Sequence, residues 1–353
     1  MLRIGFVGWR GMVGSVLMGR MREAEDFKGF DPISFSTSNV GGNGPETGLH
    51  APPLKDAYDI GSLSSLDVII TCQGGGYTQK VHPELIKNGW KGYWIDSAST
   101  LRLNDDSIIV LDPVNRSVID DGLQAGIKTF VGGNCTVSLM LMALSGLFAG
   151  NHIEWISAMT YQAASGGGAK NMKELIAQMG ILGNVAKNLV DDPKSSAIVV
   201  DEMVTAAMRD TGFPTENFLA PLAGSLLPWI DIPMESGQTK EEWKGFVETN
   251  KILRTETPIP IDGLCVRVGA MRCHSQGLTI KLKKDMAMDE IEDIIQKGND
   301  WVTLVPNDKA STLDKLTPAA VNGTLNVPVG RLRKMLMGPE YLAAFTVGDQ
   351  LLW

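Results

Sequence analysis

The segment Gly132-Gly133-Asn134-Cys135-Thr136-Val137-Ser138-Leu139 puts a thiol where a short apolar strand, Thr129 to Val131, gives way to an apolar helical stretch. A helix start offers unpaired N–H groups and a positive dipole end, which favour thiolate, the reactive form of cysteine. Cys135 is therefore the candidate nucleophile. Cys72 ends a buried strand, Cys265 lies within LCVRV, and Cys273 follows strand-like sequence. Free cysteine is among the most buried residue types, so these three read as structural thiols. A thiolate nucleophile also needs a proton donor and acceptor, and the chain has four histidines. His50 lies in a Gly/Pro loop, His82 precedes Pro83 at a helix entry, and His152 has no such company. His274 sits in Arg267-Val268-Gly269-Ala270-Met271-Arg272-Cys273-His274-Ser275, dense in anion-binding groups. It is favoured as acid/base, against the alternative of a satisfied structural histidine. Strand residues alternate faces, and the odd separation of Arg267 from His274 would point them apart. They can face one pocket only if a bulge or turn intervenes near Gly269.

Further chemistry lies in shorter stretches. Thr239-Lys240-Glu241-Glu242-Trp243-Lys244 has the spacing of a capping box, Thr239 with Glu242, at a helix start. It sets Glu241 and Lys244 three apart on one helix face, which by spacing alone reads as an exposed ion pair worth little. In Tyr161-Gln162-Ala163-Ala164-Ser165-Gly166-Gly167-Gly168 a strand runs into a Gly-rich turn, with Gln162 able to orient a ligand. Arg102 follows a strand end and is a candidate anion ligand, or else solvated surface.

The elements that must position these residues alternate between strand and helix. Leu2 to Val7 reads as a buried strand, and Gly8-Trp9-Arg10-Gly11-Met12-Val13-Gly14 follows it before the helical pattern Val16, Leu17, Met18, Met21. Strand, Gly-rich turn and helix in that order are what a dinucleotide fingerprint requires, although the spacing is G-x-x-G-x-x-G, not the commoner G-x-G-x-x-G. The next expected strand, Pro32 to Ser38, ends in Ser36, Thr37 and Ser38, with no carboxylate for a ribose 2′-hydroxyl. Hydroxyls there tolerate a 2′-phosphate and favour NADP over NAD, unless they simply enter a loop. Strands are expected at Leu66–Cys72, Gly92–Ile95, Ile108–Leu111 and Thr129–Val131, with a helix at Val81–Asn88 and backbone open to a ligand at Gln73-Gly74-Gly75-Gly76. The alternation predicts an α/β fold with a parallel sheet.

At 353 residues the chain suits about two domains. Its net charge of −8 argues against sequence-wide affinity for nucleic acid or anionic lipid, so any anion site must be local. The cysteines have neither metal-ligand nor disulfide spacing, no metal site is expected, and a reducing cytoplasm fits best. Thr129 to Asn151 is uncharged, but its contiguous apolar part is only Leu139 to Leu144, so a buried helix is expected instead of a membrane span.

Taken together, GGNCTVSLML, GFVGWRGMVGS, YQAASGGGAKNMKEL, EEWK and RVGAMRCHSQ resemble aspartate-β-semialdehyde dehydrogenase, end to end, and most of all its Gram-negative bacterial branch. The resemblance implies an NADP-binding Rossmann-like domain over 1–133, to which 350–353 returns. It also implies an α+β catalytic and dimerisation domain over 134–349, with a mixed sheet like that of glyceraldehyde-3-phosphate dehydrogenase. The implied reaction is reversible NADPH-dependent reduction of L-aspartyl 4-phosphate to aspartate semialdehyde and phosphate, on the route to lysine (through diaminopimelate), threonine, methionine and isoleucine. Cys135 would form a thioester, His274 would be the acid/base and Gln162 would orient the acyl group. Arg267 would grip the substrate α-carboxylate, for which a bidentate guanidinium suits. Glu241 would hold the α-ammonium, while Arg102 and Lys244 would bind phosphate, reversing the reading of an idle ion pair. Matching cofactor positions are Gly8, Arg10, Gly11, Met12, Val13, Thr37, Ser38, Gln73, Ser165, Gly166, Pro193 and Gln350. The implied assembly is a cytoplasmic homodimer acting on small molecules, with no nucleic-acid or membrane partner. Relatives continue past Trp353 into a last helix, so the chain is expected to end short of a whole fold. The rival readings are an N-acetylglutamyl-phosphate reductase, disfavoured by the acidic Glu241, and a non-catalytic NADP-binding paralogue, disfavoured by Cys135 and His274.

Overall fold

Short runs such as RIGFV and VIIT carry apolar side chains on both faces, as strands must when helices cover both sides of a parallel sheet. In the computed structural model, which describes residues 1–48 and 52–353, these runs form one of two compact units. The first unit comprises Met1–Ser145, Phe246–Ile259 and Leu351–Trp353, and the second Gly146–Gly245 and Pro260–Gln350. His50 lies outside the described residues.

The first unit holds β1 (Arg3–Val7), β2 (Asp31–Ser36), β3 (Lys55–Asp56), β4 (Val68–Thr71), β5 (Tyr93–Asp96), β6 (Ser107–Val110) and β7 (Thr129–Gly132). They make a seven-stranded sheet in the order β3-β2-β1-β4-β5-β7-β6, parallel at every pairing. Phe6 and Val7 show the alternation: Phe6 packs with Met18 and Phe27, while Val7 joins a separate cluster with Phe35, Leu63, Ile69 and Trp94. The strand order reverses between β1 and β4, and ligands of such sheets bind beyond the carboxyl ends at that point. The expected strands are found within two residues of their ends. The helix expected at Val81–Asn88 instead runs over Gly75–Lys87, with Pro83 inside it. Its first residue is glycine because Gly75 abuts Thr100, whose Oγ1 would lie 2.6 Å from an added Cβ. His82 is thus a mid-helix residue set edge-on to Trp94, not a helix entry. The uncharged stretch after Thr129 forms the helix Cys135–Ala149, and among the described residues no helix is long and apolar enough to cross a membrane.

The second unit is built on a mixed sheet of β8 (Ile153–Gln162), β9 (Leu226–Leu227), β10 (Ile261–Val268), β11 (His274–Leu282), β12 (Val302–Leu304), β13 (Val327–Met335) and β14 (Gly338–Gly348), in the order β12-β13-β14-β11-β8-β10-β9. β10 lies parallel to β8 on one side, and β11 antiparallel to it on the other. Ile156, Thr160 and Gln162 of β8 are buried, whereas Met159 and Tyr161 are exposed. Leu264 is registered beside Met159, and Phe345 stacks on Tyr161, so the outer face is apolar.

Candidate active site

Gly8 has φ +75°, and a Cβ there would stand 2.5 Å from the Cys72 carbonyl carbon, so the turn after β1 passes against the end of β4 with no room for a side chain. Gly14 is equally tight, its Cβ position lying 2.3 Å from the Gly8 oxygen. These two contacts explain the outer glycines of G-x-x-G-x-x-G. Gly11 precedes the helix Met12–Glu23 and provides no side-chain cap, leaving that helix start with N–H donors for an anion. Arg10 Nη2 donates to Ser36 Oγ at 3.1 Å, and the same oxygen accepts from the amides of Ser38 and Asn39. Gln73 Nε2 donates to Thr37 Oγ1 at 3.5 Å. Arg10, Thr37, Ser38 and Gln73 therefore surround the crevice mouth, with hydroxyls and a guanidinium where a carboxylate would otherwise stand. The residues present fit a dinucleotide.

Cys135 opens its helix because Asn134 caps it: Asn134 Oδ1 accepts from the amides of Thr136 at 3.0 Å and Val137 at 3.2 Å. An asparagine just before an apolar helical run is itself a capping signal, although sequence reasoning singled out only the cysteine. The Asn134 N–H donates to Glu248 Oε2 at 2.7 Å, and Glu248 Oε1 takes a 3.1 Å bond from Arg102 Nη1. Arg102 also donates from Nε to the Gly132 carbonyl at 2.6 Å and from Nη2 to the Ser97 carbonyl at 3.4 Å. Arg102 is 8% exposed, so it is a buried, paired cation and not solvated surface.

In the second unit, β8 registers Gln162 beside Arg267, and the neighbouring pair Tyr161–Ser275 brings His274 alongside from β11. The sequence required a turn near Gly269 for this, and 269–273 separates the two strands. That turn is pinned: Cys273 has φ +74°, its N–H donates to Gln350 Oε1 at 2.9 Å, and Arg272 is paired with the fully buried Asp349 at 2.7 Å. Gln350 Nε2 in turn donates to Ser165 Oγ. The Ala163 N–H donates to His274 Nδ1 at 3.1 Å, and Arg267 Nη1 donates to the Ala163 carbonyl at 2.8 Å. His274 is fully buried with Nε2 unpartnered. Burial, then the charge of Arg267, push its pKa down to about 3, so the ring is neutral. With Nδ1 accepting, the neutral ring carries its hydrogen on Nε2. A Cβ on Gly166 would lie 2.7 Å from Arg267 Nη1 and 3.0 Å from His274 Nε2, so the Gly-rich turn covers both.

The capping box forms reciprocally, Thr239 N–H to Glu242 Oε2 at 2.7 Å and Glu242 N–H to Thr239 Oγ1 at 3.3 Å. The Glu241–Lys244 pair is made at 2.9 Å but is not exposed. Glu241 also accepts from Gln162 Nε2 at 3.2 Å, and Lys244 is shared with Asp231 at 2.9 Å. Burial alone would lower the Lys244 pKa, but Glu241 and Asp231 outweigh it and raise it. No local pattern announces Asp231, because it approaches from a loop with φ +74°. Pro193 lies in an exposed turn between the helices Ala169–Val190 and Ala197–Arg209. Burial pushes the Cys72 thiol up to about 11 and those of Cys265 and Cys273 up to about 12, which leaves all three protonated and unreactive at neutral pH.

Residues 3–122 match the family model described as semialdehyde dehydrogenase, NAD binding domain, and residues 144–353 match semialdehyde dehydrogenase, dimerisation domain. Aspartate semialdehyde dehydrogenase from Francisella tularensis is 46% identical, covers 100% of this chain and 96% of its own, and superposes with a TM-score of 0.95. Aspartate semialdehyde dehydrogenase II from Vibrio cholerae, complexed with ASA, shares the fold at 22% identity, with 99% and 94% coverage and a TM-score of 0.80. The Candida albicans enzyme, solved with NADP, shares it at 13% identity, with 100% and 94% coverage and a TM-score of 0.65.

Proposed function

Because the chain belongs to the semialdehyde dehydrogenase family, among the aspartate semialdehyde dehydrogenases, we propose that it converts L-aspartyl 4-phosphate to L-aspartate 4-semialdehyde and phosphate, reversibly, with NADPH as reductant. The observation that carries this reading is the buried cluster of Arg267, Glu241, Gln162 and His274. One guanidinium and one carboxylate suit the α-carboxylate and α-ammonium of a free amino acid. An N-acylated substrate would present an amide in place of the ammonium that the Glu241 carboxylate suits.

The Cys135 thiolate attacks the acyl carbonyl, the carbon–oxygen bond to phosphate breaks, and phosphate leaves a thioester. Arg102 and Lys244 receive the departing phosphate. Splitting the reaction at the thioester expels the good leaving group before reduction and limits the product to the aldehyde. NADPH, when bound, supplies the hydride. The turn Gly8, Arg10, Gly11, Met12 and Val13 would hold its phosphates, and Arg10, Thr37 and Ser38 would hold a 2′-phosphate, since hydroxyls and a guanidinium suit an anion. Gln73, Ser165, Gly166, Pro193 and Gln350 complete the proposed cofactor set. Gln162 orients the acyl group. His274 presents Nε2–H, a donor suited first to thiolate and then to the oxygen that gains negative charge as the carbonyl is attacked. Accepting the thiol proton at Nε2 requires the other tautomer, which breaks the Ala163 bond; the donor half of its role fits the resting geometry, and the acceptor half needs the ring to reorient.

Met159, Tyr161, Leu264 and Phe345 on the outer face of the mixed sheet support a homodimer formed through that unit. The four free thiols suit the cytoplasm, and the product would feed lysine, threonine, methionine and isoleucine synthesis. The test is a coupled assay following NADPH oxidation with aspartyl phosphate against N-acetylglutamyl phosphate. Turnover with the first alone is expected; preference for the acetylated substrate would overturn the reading.

A further inference from the structure

Glu248 is 2% exposed, carries no role so far, and lies on the helix Lys240–Leu253. Its two carboxylate oxygens are divided: Oε1 takes Arg102 Nη1 at 3.1 Å and Oε2 takes the Asn134 N–H at 2.7 Å. One buried carboxylate thus ties the guanidinium to the backbone immediately before Cys135. We propose that Glu248 is a positioning residue that aims Arg102 at the phosphate of the acyl phosphate and holds the turn bearing Cys135 in register with it.

The donor inventory carries the argument. A guanidinium has five N–H groups. Three are engaged here, by the carbonyls of Gly132 and Ser97 and by Glu248, which leaves two for an oxyanion. Without Glu248 the two carbonyls still hold one side of the fork, but Nη1 loses its anchor and the cation loses its counter-charge. Carboxylate is the right group for the purpose. It accepts at both oxygens, so it serves a guanidinium and an amide at once, whereas a carboxamide of the same length has one acceptor and places an NH₂ against a donor. A buried ion pair is weak evidence of stability, because desolvation offsets the attraction; what this pair supplies is a fixed direction for Arg102. The proposal rests on the reading of Arg102 as a phosphate ligand.

The test uses the full chain loaded with NADP⁺. Calorimetric titration with inorganic phosphate gives its Kd, and phosphorolytic oxidation of aspartate semialdehyde gives kcat and the phosphate KM. Glu248→Gln is expected to raise the phosphate Kd and KM about 10-fold, the loss of one charged hydrogen bond, with the NADP⁺ Kd unchanged. Placed in an Arg102→Ala background, the same substitution is expected to change the phosphate KM by less than about twofold, because its effect passes through Arg102. An unchanged phosphate Kd in Glu248→Gln, or an equal loss in both backgrounds, would overturn the proposal in favour of a structural ion pair only. If Arg102→Ala alone leaves the phosphate KM unaltered, the phosphate reading of Arg102 fails and the role of Glu248 falls with it. If Arg102→Ala raises the KM and Glu248→Gln does not, only Glu248 is misassigned. Should Glu248→Gln not fold, Glu248→Asp, one methylene too short to reach both partners, is read by the same measurements against the same outcomes.

Discussion

Acid should weaken this protein in part through the buried ring of His274. His274 is fully buried and accepts the Ala163 amide at Nδ1, and burial, then the charge of Arg267, push its pKa from the ordinary 6.5 down to about 3. In the unfolded chain the ring binds a proton as the pH falls through 6.5; in the native state it stays neutral until about 3. Between those values the unfolded state holds the extra proton, so acidification favours unfolding. The contribution is complete above pH 6.5 and is lost as pH falls, at about 1.4 kcal/mol per unit once well below 6.5. At pH 5 the loss is about 2 kcal/mol, and its limit near pH 3 is about 5 kcal/mol. Carboxylates add their own slope in the same range, so the informative quantity is a difference. Urea unfolding of the natural protein and of His274→Asn, measured at half-unit steps from pH 7.5 to pH 4.5, should give curves that diverge on descent. The variant should keep about 2 kcal/mol more of its own pH 7 stability at pH 5. Parallel curves would show that the ring is not held neutral, and the tautomer assigned to it would lose its basis.

Other perturbations follow from the same geometry. Gly8→Ala meets a left-handed backbone and the end of β4 at 2.5 Å; it should cost at least about 1 kcal/mol from the backbone alone and weaken NADPH binding, read by thermal melting and nicotinamide fluorescence titration. Gly166→Ala adds a methyl 2.7 Å from Arg267 Nη1 and 3.0 Å from His274 Nε2. It should lower kcat about 10-fold through misplacement of both groups while leaving the melting temperature within a few degrees; unchanged kcat would deny that this turn covers the two side chains. Arg10→Ala should raise the KM for NADP⁺ about 10-fold, one charged hydrogen bond's worth, with the KM for NAD⁺ little changed, as initial rates with each cofactor would report.

What sequence reasoning could reach had a local trace. Gly14 answers to a contact within its own turn, Thr239 and Glu242 cap one another three residues apart, and Cys135 starts a helix because Asn134 precedes it. The parity of Arg267 and His274 even demanded the turn that the structure has at 269–273. The rest lacked such a trace. Arg102 and Glu248 are separated by 146 positions, and no periodicity records which buried charge meets which. Glu241 and Lys244 looked like a surface pair because the groups that enclose them, Gln162 and Asp231, come from a distant strand and an irregular loop. The helix Gly75–Lys87 began among glycines that read as loop, and close approach to Thr100, a tertiary constraint, accounts for Gly75. Segment Phe246–Ile259 belongs to the first unit although it lies more than a hundred residues beyond that unit's main body.

The central claim is a covalent thioester at Cys135. Mixing the enzyme with aspartyl phosphate in the absence of NADPH, quenching in acid and mapping peptides by mass spectrometry tests it directly. One aspartyl group should appear on the peptide bearing Cys135, be released by hydroxylamine, and be absent from Cys135→Ser, which should still bind NADPH while losing nearly all turnover. An aspartyl group on another residue, or substantial turnover by Cys135→Ser, would contradict the account.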